Sequence, residues 1–517
     1  MSYDKGTVID GFERFVAQTP DKPALICAED SVSWQALEER SARIADRLLS
    51  WGMNKGDRLA ILSRNNPDYY ICMIGAARVG VSVVPLPTMI SEATLRGMLV
   101  DSEAKALFCC RQMRPLAEAV VSMVNMVDIN HKAGLDFGDD RWEDYRDWAG
   151  ARRMDISGRA ITSEDEFNVI YSSGTTGQPK GIIHSHGFRS GDSISLKQMG
   201  FDQDSVTVIT TALYSNFSVY AFLAAFQSGG TTIIMPKFSA QACLELCQEY
   251  RPDNIFLVPV QCQRIISDPA FAAYNLGDTT RKWVAGSPLS VDLKQEILQQ
   301  WPGGLFELYG MTEGTPSTML AAHLHSDKLG SVGTYSDGCN ILILDEDDNV
   351  LPTGGIGEIV GHGPAMMNAY NKRPELMKSL EWFDDQGGRY FRSGDLGYLD
   401  EDGFLYLVGR KKDMIISGGF NIYPSDLEEI LMRHPAVGEV AVIGIASEKW
   451  GETPVAVVIA AAGECIVEQE LLDWANKQLG DVQKLSRIKL VTELPRGPLG
   501  KILKKELREN YQQLSSQ

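Results

Sequence analysis

The segment Tyr171-Ser172-Ser173-Gly174-Thr175-Thr176-Gly177-Gln178-Pro179-Lys180-Gly181 concentrates groups that can hold an anion. Gly174 and Gly177 free the backbone for positive φ, which lets successive N–H groups converge on one ligand. Ser172, Ser173, Thr175 and Thr176 add hydroxyl donors, and Lys180 adds charge. The chemistry this suits is holding the phosphates of a nucleotide. A Walker-type loop ends in Gly-Lys-Ser/Thr after a fixed gap; Lys180 lies between Pro179 and Gly181, so that motif is excluded. Taken alone, the segment is also compatible with a Gly/Ser turn on the surface.

Four more stretches carry chemistry-bearing residues: Glu307-Leu308-Tyr309-Gly310-Met311-Thr312-Glu313, Tyr390-Phe391-Arg392-Ser393-Gly394-Asp395, Gly409-Arg410-Lys411-Lys412-Asp413 with Gly418-Gly419, and Pro495-Arg496-Gly497-Pro498-Leu499-Gly500-Lys501. Singly they are weak. Asp395 follows a glycine in a turn, where Asp is common, and Glu313 can be a first-turn acid favoured by a helix dipole. Arg410, Lys411 and Lys412 can be a solvated basic patch. Lys501 stands at the predicted start of a helix, where a cation is disfavoured, so its placement asks for an anionic partner.

The elements that must position these residues alternate between strand and helix. Asp57–Leu62 reads as a buried strand, Asp68–Val79 as a helix and Val81–Leu86 as a strand. After the phosphate-type loop, Val206–Thr211, Thr231–Met235, Ile255–Val258 and Lys282–Ala285 read as strands. They are separated by helices near Phe217–Gln227, Ala240–Tyr250 and Val291–Gln299. This predicts an α/β fold with a largely parallel sheet and functional loops at the strand ends. Met113–Ser163 is polar and rich in Asp and Arg, and reads as an irregular surface connection. Beyond Ile341 short strands imply a β-rich subdomain. From about Lys411 a small α+β unit ends in a helix predicted over Lys501–Tyr511. The expected division is a large domain at 1–409 and a small one at 410–517.

A chain of 517 residues is too long for one core. Its net charge of −19 argues against nucleic acid, which needs a basic surface. The nine cysteines lack paired metal-ligand spacing, which points to a reduced, cytoplasmic protein. No run reaches the roughly 18 apolar residues of a membrane span. A homodimer is left open.

Together, and in this order, the five stretches closely resemble the adenylate-forming superfamily of acyl-CoA synthetases, amino-acid adenylation domains and beetle luciferases, from about Val8 to Arg508. The resemblance implies ATP, Mg²⁺ and coenzyme A as cofactors and a small carboxylic acid as partner. It implies that Ser172, Ser173, Gly174, Thr175, Thr176, Gly177 and Lys180 bind the β- and γ-phosphates. Tyr309, with Glu307 and Gly310 beside it, would stack on adenine opposite Gly286 and Ser287. Thr312 would touch the α-phosphate and Glu313 hold Mg²⁺. Asp395 and Arg410 would bind the ribose, and Lys501 would contact the carboxylate and α-phosphate during adenylation. Lys412 would be a hinge about which the C-terminal domain turns, bringing Gly418 and Gly419 to the thiol.

The resemblance places the acyl pocket at Tyr214, Ser215, Asn216, Val258 and Met311. Many relatives carry an aromatic-histidine pair there, whereas this chain has Tyr214-Ser215-Asn216 and no histidine, so no relative's substrate transfers. The aspartate that holds an amino-acid ammonium is also missing. His184 and His186 have no metal-ligand spacing and read as structural. The expected activity is an AMP-forming carboxylate–CoA ligase for a fatty or aryl acid. The alternative is a stand-alone enzyme loading a carrier protein's phosphopantetheine, and a nucleotide-binding protein without chemistry is disfavoured by Lys501, Glu313 and Asp395.

Overall fold

A computed structural model of the chain describes residues 6–122, 129–148, 160–172, 180–190, 197, 199–276, 280–335, 338–418, 420–447, 450–480, 483–497 and 501–512. Packing divides the chain into two compact units, one comprising Met1–Leu329 with Gly363–Glu381, the other Gly330–His362 with Trp382–Gln517. The boundary expected at 409/410 does not coincide with this division. The β-rich stretches before it fall in one unit with the C-terminal segment; a functional break at 409/410 and a hinge at Lys412 are proposals.

The first unit contains two eight-stranded sheets. In one, Leu305–Gly310, Arg281–Val284, Asn254–Leu257, Val206–Ile209, Thr231–Ile234 and Pro23–Cys27 run parallel, with antiparallel strands at both edges. In the other, Glu166–Ser172, Ser82–Pro85, Arg58–Leu62 and Ala106–Cys109 are parallel neighbours, and Lys180–Ser185 pairs antiparallel with Glu166–Ser172. The interior strands are buried on both faces, which is why they read as continuous apolar runs.

Two helices are apolar all round because they lie inside this core. Pro67–Ala77 begins with Pro67 at its first position and Asn66 capping the Tyr69 amide at 3.2 Å. Asn216–Gln227 begins at Ser215, whose Oγ accepts from the Ser218 amide at 3.1 Å. Between them the Tyr70 and Phe222 rings stack 3.7 Å apart, and the Tyr70 hydroxyl donates to the Ser218 carbonyl at 3.1 Å. At Gly75 the first of these helices presses on Trp34–Ser50: a Cβ there would lie 2.7 Å from Ile44 Cβ and 2.8 Å from the Ser41 carbonyl. Gly75→Ala is therefore expected to cost about 1–3 kcal/mol by overpacking, read as a lower urea midpoint at unchanged slope.

The second unit holds two five-stranded sheets, one containing Asn340–Leu344, Gly357–His362, Arg389–Leu399 and Leu405–Arg410, the other built around the long hairpin of Val437–Ser447 and Gly451–Ala460. No helix among the described residues is long and apolar enough to cross a membrane.

The structure corrects two expectations. Met113–Ser163 is not an irregular connection: it contributes the helix Arg114–Ser122 and the strands His131–Gly134 and Glu143–Asp144, which extend the second sheet. Phe137, Trp142 and Trp148 anchor it inward. The last helix spans Lys504–Tyr511, so Lys501 precedes it. Lys501 is instead held by its carbonyl accepting from the Gly497 amide at 2.8 Å, next to the Arg496–Ile502 bridge.

Candidate active site

In the first unit the site residues gather at the carboxyl ends of adjacent parallel strands, where an open α/β sheet presents its loops. Val258 follows Asn254–Leu257, Ala285-Gly286-Ser287 follows Arg281–Val284, and Met311-Thr312-Glu313 follows Leu305–Gly310. Tyr214 follows Val206–Ile209 through a short turn and is buried. Val258 is buried and its amide donates to Gln261 Oε1 at 3.0 Å.

Ser172 and Lys180 face each other across the antiparallel pair that brackets the phosphate-type loop. Ser173, Gly174, Thr175, Thr176 and Gly177 lie outside the described residues, as does Gly419. Lys180 Nζ sits 5.5 Å over the Tyr370 ring. The Tyr370 hydroxyl donates to Glu313 Oε1 at 2.6 Å, and burial with the adjacent carboxylate raises the tyrosine pKa, so it stays a donor. Glu313 is itself buried, and Oε2 has no hydrogen-bond partner among the described residues. One carboxylate oxygen left open suits a hard cation shared with substrate phosphates, since Mg²⁺ is commonly held by one or two carboxylates plus phosphates. Among the described residues no group of three or more His, Cys, Asp or Glu is placed to hold a metal.

Two predicted residues are engaged elsewhere. Ser215 Oγ is taken up by the cap, accepting from the Ser218 amide and donating to Ser218 Oγ at 2.9 Å, and so does not face the pocket as a free hydroxyl. Glu307 is buried against Lys294 Nζ at 2.5 Å and accepts from the Leu289 amide at 3.2 Å. Tyr309, two residues further along the strand, lies on the same face.

Sequence reasoning missed a buried polar network around Arg189. His184 pairs in register with Asn168 across the sheet. Arg189, at the end of the short helix His186–Arg189, donates to Asn168 Oδ1 (3.2 Å), His184 Nδ1 (2.9 Å) and Asn216 Oδ1 (2.7 Å). His184 Nε2 meets the Thr312 carbonyl at 2.7 Å. A carbonyl can only accept and a guanidinium can only donate, so His184 is neutral with its proton on Nε2. Burial, then the charge of Arg189, lower its pKa well below the ordinary value, in agreement. Burial pulls Arg189 down to about 9, which leaves it charged at neutral pH.

The second unit carries its own cluster. Asp395 and Arg410 pair in register on antiparallel strands, with Arg410 Nε donating to Asp395 Oδ1 at 2.7 Å. The turn Lys411–Asp413 follows, held by Lys411 on Glu358 at 2.8 Å and Asp413 on Arg508; Lys412 is exposed. Crowding by the surrounding protein, then the charge of Arg410, pull the Lys501 ammonium down to about 8 against the attraction of Asp395, although part of the side chain stays open to solvent. Gly418 has φ +59°, donates its amide to the Trp450 carbonyl at 2.7 Å, and would bring a Cβ within 2.9 Å of the Trp450 ring. This left-handed conformation and the close ring favour glycine there.

Comparison with known families defines the class, an adenylate-forming enzyme. The chain belongs to the AMP-binding enzyme family: that family's model matches residues 12–371, and the model of the AMP-binding enzyme C-terminal domain matches 426–501. It is 31% identical to the feruloyl-CoA synthase of an Amycolatopsis species, over 96% of this chain and 98% of the relative. It is 28% identical to the fatty acid–[acyl-carrier-protein] ligase ScoC of Streptomyces coeruleorubidus, over 95% and 94%. Among solved structures, ATP-bound MatB from Rhodopseudomonas palustris is similar with a TM-score of 0.87 and 29% identity, covering 99% of this chain and all of that one.

Proposed function

We propose that the protein is an ATP-dependent carboxylate–CoA ligase for a fatty or aryl acid. The carrying observation is the Thr312-Glu313 turn at the end of its parallel strand, where Tyr370 occupies one oxygen of Glu313 and leaves the other open. In the first half-reaction a carboxylate oxygen of the acid attacks the α-phosphorus of ATP, the bond to the bridging oxygen breaks, and pyrophosphate leaves. Lys180, Thr312 and Lys501 are proposed to oppose the charge that builds on the phosphoryl oxygens. Glu313 would hold Mg²⁺, which would neutralise phosphate charge during the transfer. In the second, the CoA thiol loses its proton and attacks the acyl carbon, and AMP leaves with the electron pair of the broken carbon–oxygen bond. Ile416, Phe420 and Trp450 are exposed near Gly418 and suit the apolar body of a pantetheine arm.

A pyrophosphate-release assay over a panel of acids, with mass analysis of the products formed with CoA and with a phosphopantetheinylated carrier protein, tests this. Pyrophosphate with acyl-CoA supports the ligase. Pyrophosphate with acylation of the carrier alone supports the reading suggested by the similarity to ScoC. No pyrophosphate with any acid overturns both.

A further inference from the structure

Three cationic side chains are buried among the described residues: Lys282, Lys294 and Arg189. Lys294 is paired with the carboxylate of Glu307. Lys282 meets the carbonyls of Trp301 and Pro302 at 3.2 and 2.5 Å, and burial pulls it down to about 7, so it can shed its charge. Arg189 has neither escape. It is 8% exposed, stays protonated, and its side-chain hydrogen-bond partners Asn168, His184 and Asn216 are all neutral. Among the described residues no carboxylate pairs with it, and a buried charge without a counter-charge is strongly unfavourable unless something supplies one.

The donors left over say what is missing. Of the five N–H groups of a guanidinium, Nε and Nη2 use three on those partners, and the two on Nη1 have none among the described residues. Because each asparagine oxygen accepts from Arg189, each amide nitrogen faces away as a donor. Asn168 Nδ2 is fully buried without a partner, and Asn216 Nδ2 has none either. Among the described residues the cluster thus offers one positive charge and several unused N–H groups, while its side-chain acceptors are already turned toward Arg189. It belongs beside the acyl pocket, since Asn216 opens the helix that follows Tyr214 and Ser215, and His184 links it to the Thr312 carbonyl.

We propose that Arg189, with Asn168 and Asn216, binds a second anionic group on the acid substrate, a carboxylate a few bonds from the one that is activated. This rests on the ligase reading above and narrows its substrate class. The reacting carboxylate is a poor candidate for this site, because adenylation removes its charge and would return Arg189 to isolation. A non-reacting carboxylate keeps its charge through both half-reactions, so the contact acts equally on substrate and transition state and shows mainly in KM.

The test measures pyrophosphate release with matched pairs: succinate against butyrate, glutarate against valerate, and phthalate against benzoate. The wild type is expected to prefer at least one dicarboxylate over its partner by roughly 10²-fold or more in kcat/KM. Arg189→Met should erase that preference through KM, with Arg189→Lys restoring part of it. If the methionine variant fails to fold by thermal melting, Asn216→Asp decides. It supplies an internal carboxylate to Arg189 and should likewise abolish the preference while raising the melting temperature. Efficient turnover of monocarboxylates only, or a dicarboxylate preference unchanged in these variants, overturns the proposal and leaves the ligase reading standing. No pyrophosphate with any acid in the wild type overturns both.

Discussion

Lys501→Ala is expected to slow pyrophosphate release from ATP and acid by roughly 10²- to 10³-fold, the usual loss when one donor to a developing oxyanion is removed. Thioester formation from supplied acyl-adenylate should stay within a few-fold of wild type, because no phosphoryl charge develops in that step. An equal loss in both half-reactions would refute this assignment. The pH dependence gives a second, independent check. Crowding and the charge of Arg410 bring the Lys501 ammonium down to about 8. Adenylation needs the charged form, so the sign is fixed: the rate is flat below that value and falls about tenfold per unit above it. Lys501→Arg keeps its charge throughout this range, so it should be slower than wild type at pH 7 yet lack the alkaline fall. An alkaline limb that persists in the arginine variant would assign the titration to another group.

The strand–helix alternation was legible because parallel strands buried on both faces appear as short apolar runs, as at Arg58–Leu62 and Asn254–Leu257. The site at the strand ends followed from motif order, and Thr312, Glu313 and Gly286 fall there. What failed to show has physical reasons. In Met113–Ser163 the charges pair with one another on the outside, as in Arg114–Glu118 at 2.9 Å and Arg146–Asp144 at 2.6 Å. Single aromatics such as Phe137 and Trp142 do the anchoring, and elements this short have no periodicity to read. The helix expected from Lys501 begins only at Lys504, because backbone contacts from Gly497 to Lys501 and from Arg496 to Ile502 hold these residues, and the Lys-rich run carries no sign of them. Arg189 left little local signal, since two of its three side-chain partners, Asn168 and Asn216, are 21 and 27 residues away.

The buried Lys294–Glu307 pair carries the largest stability effect. Both side chains are almost wholly inaccessible, at 2% and 5%, with 2.5 Å between charged atoms. Glu307 also accepts the Leu289 amide, which ties the segment after Gly286 and Ser287 to the strand bearing Tyr309. Lys294→Met leaves a buried carboxylate without its counter-charge and is expected to cost about 3–5 kcal/mol in chemical denaturation at neutral pH. Burial already raises the Glu307 pKa despite the opposing pull of Lys294, and removing the lysine removes that pull. A carboxyl raised in the folded state binds more protons folded than unfolded, so stability falls as pH rises through and above its ordinary value of 4.5. The deficit of Lys294→Met should therefore be smaller at pH 5.5 than at pH 8. Lys294→Met/Glu307→Leu, which removes both charges, should recover most of the loss. Because the pair holds the two segments assigned to adenine, the single variant should also raise KM for ATP before it loses its fold. A cost below about 1 kcal/mol that is the same at both pH values would mean that the pair is hydrated in solution and does not position the site.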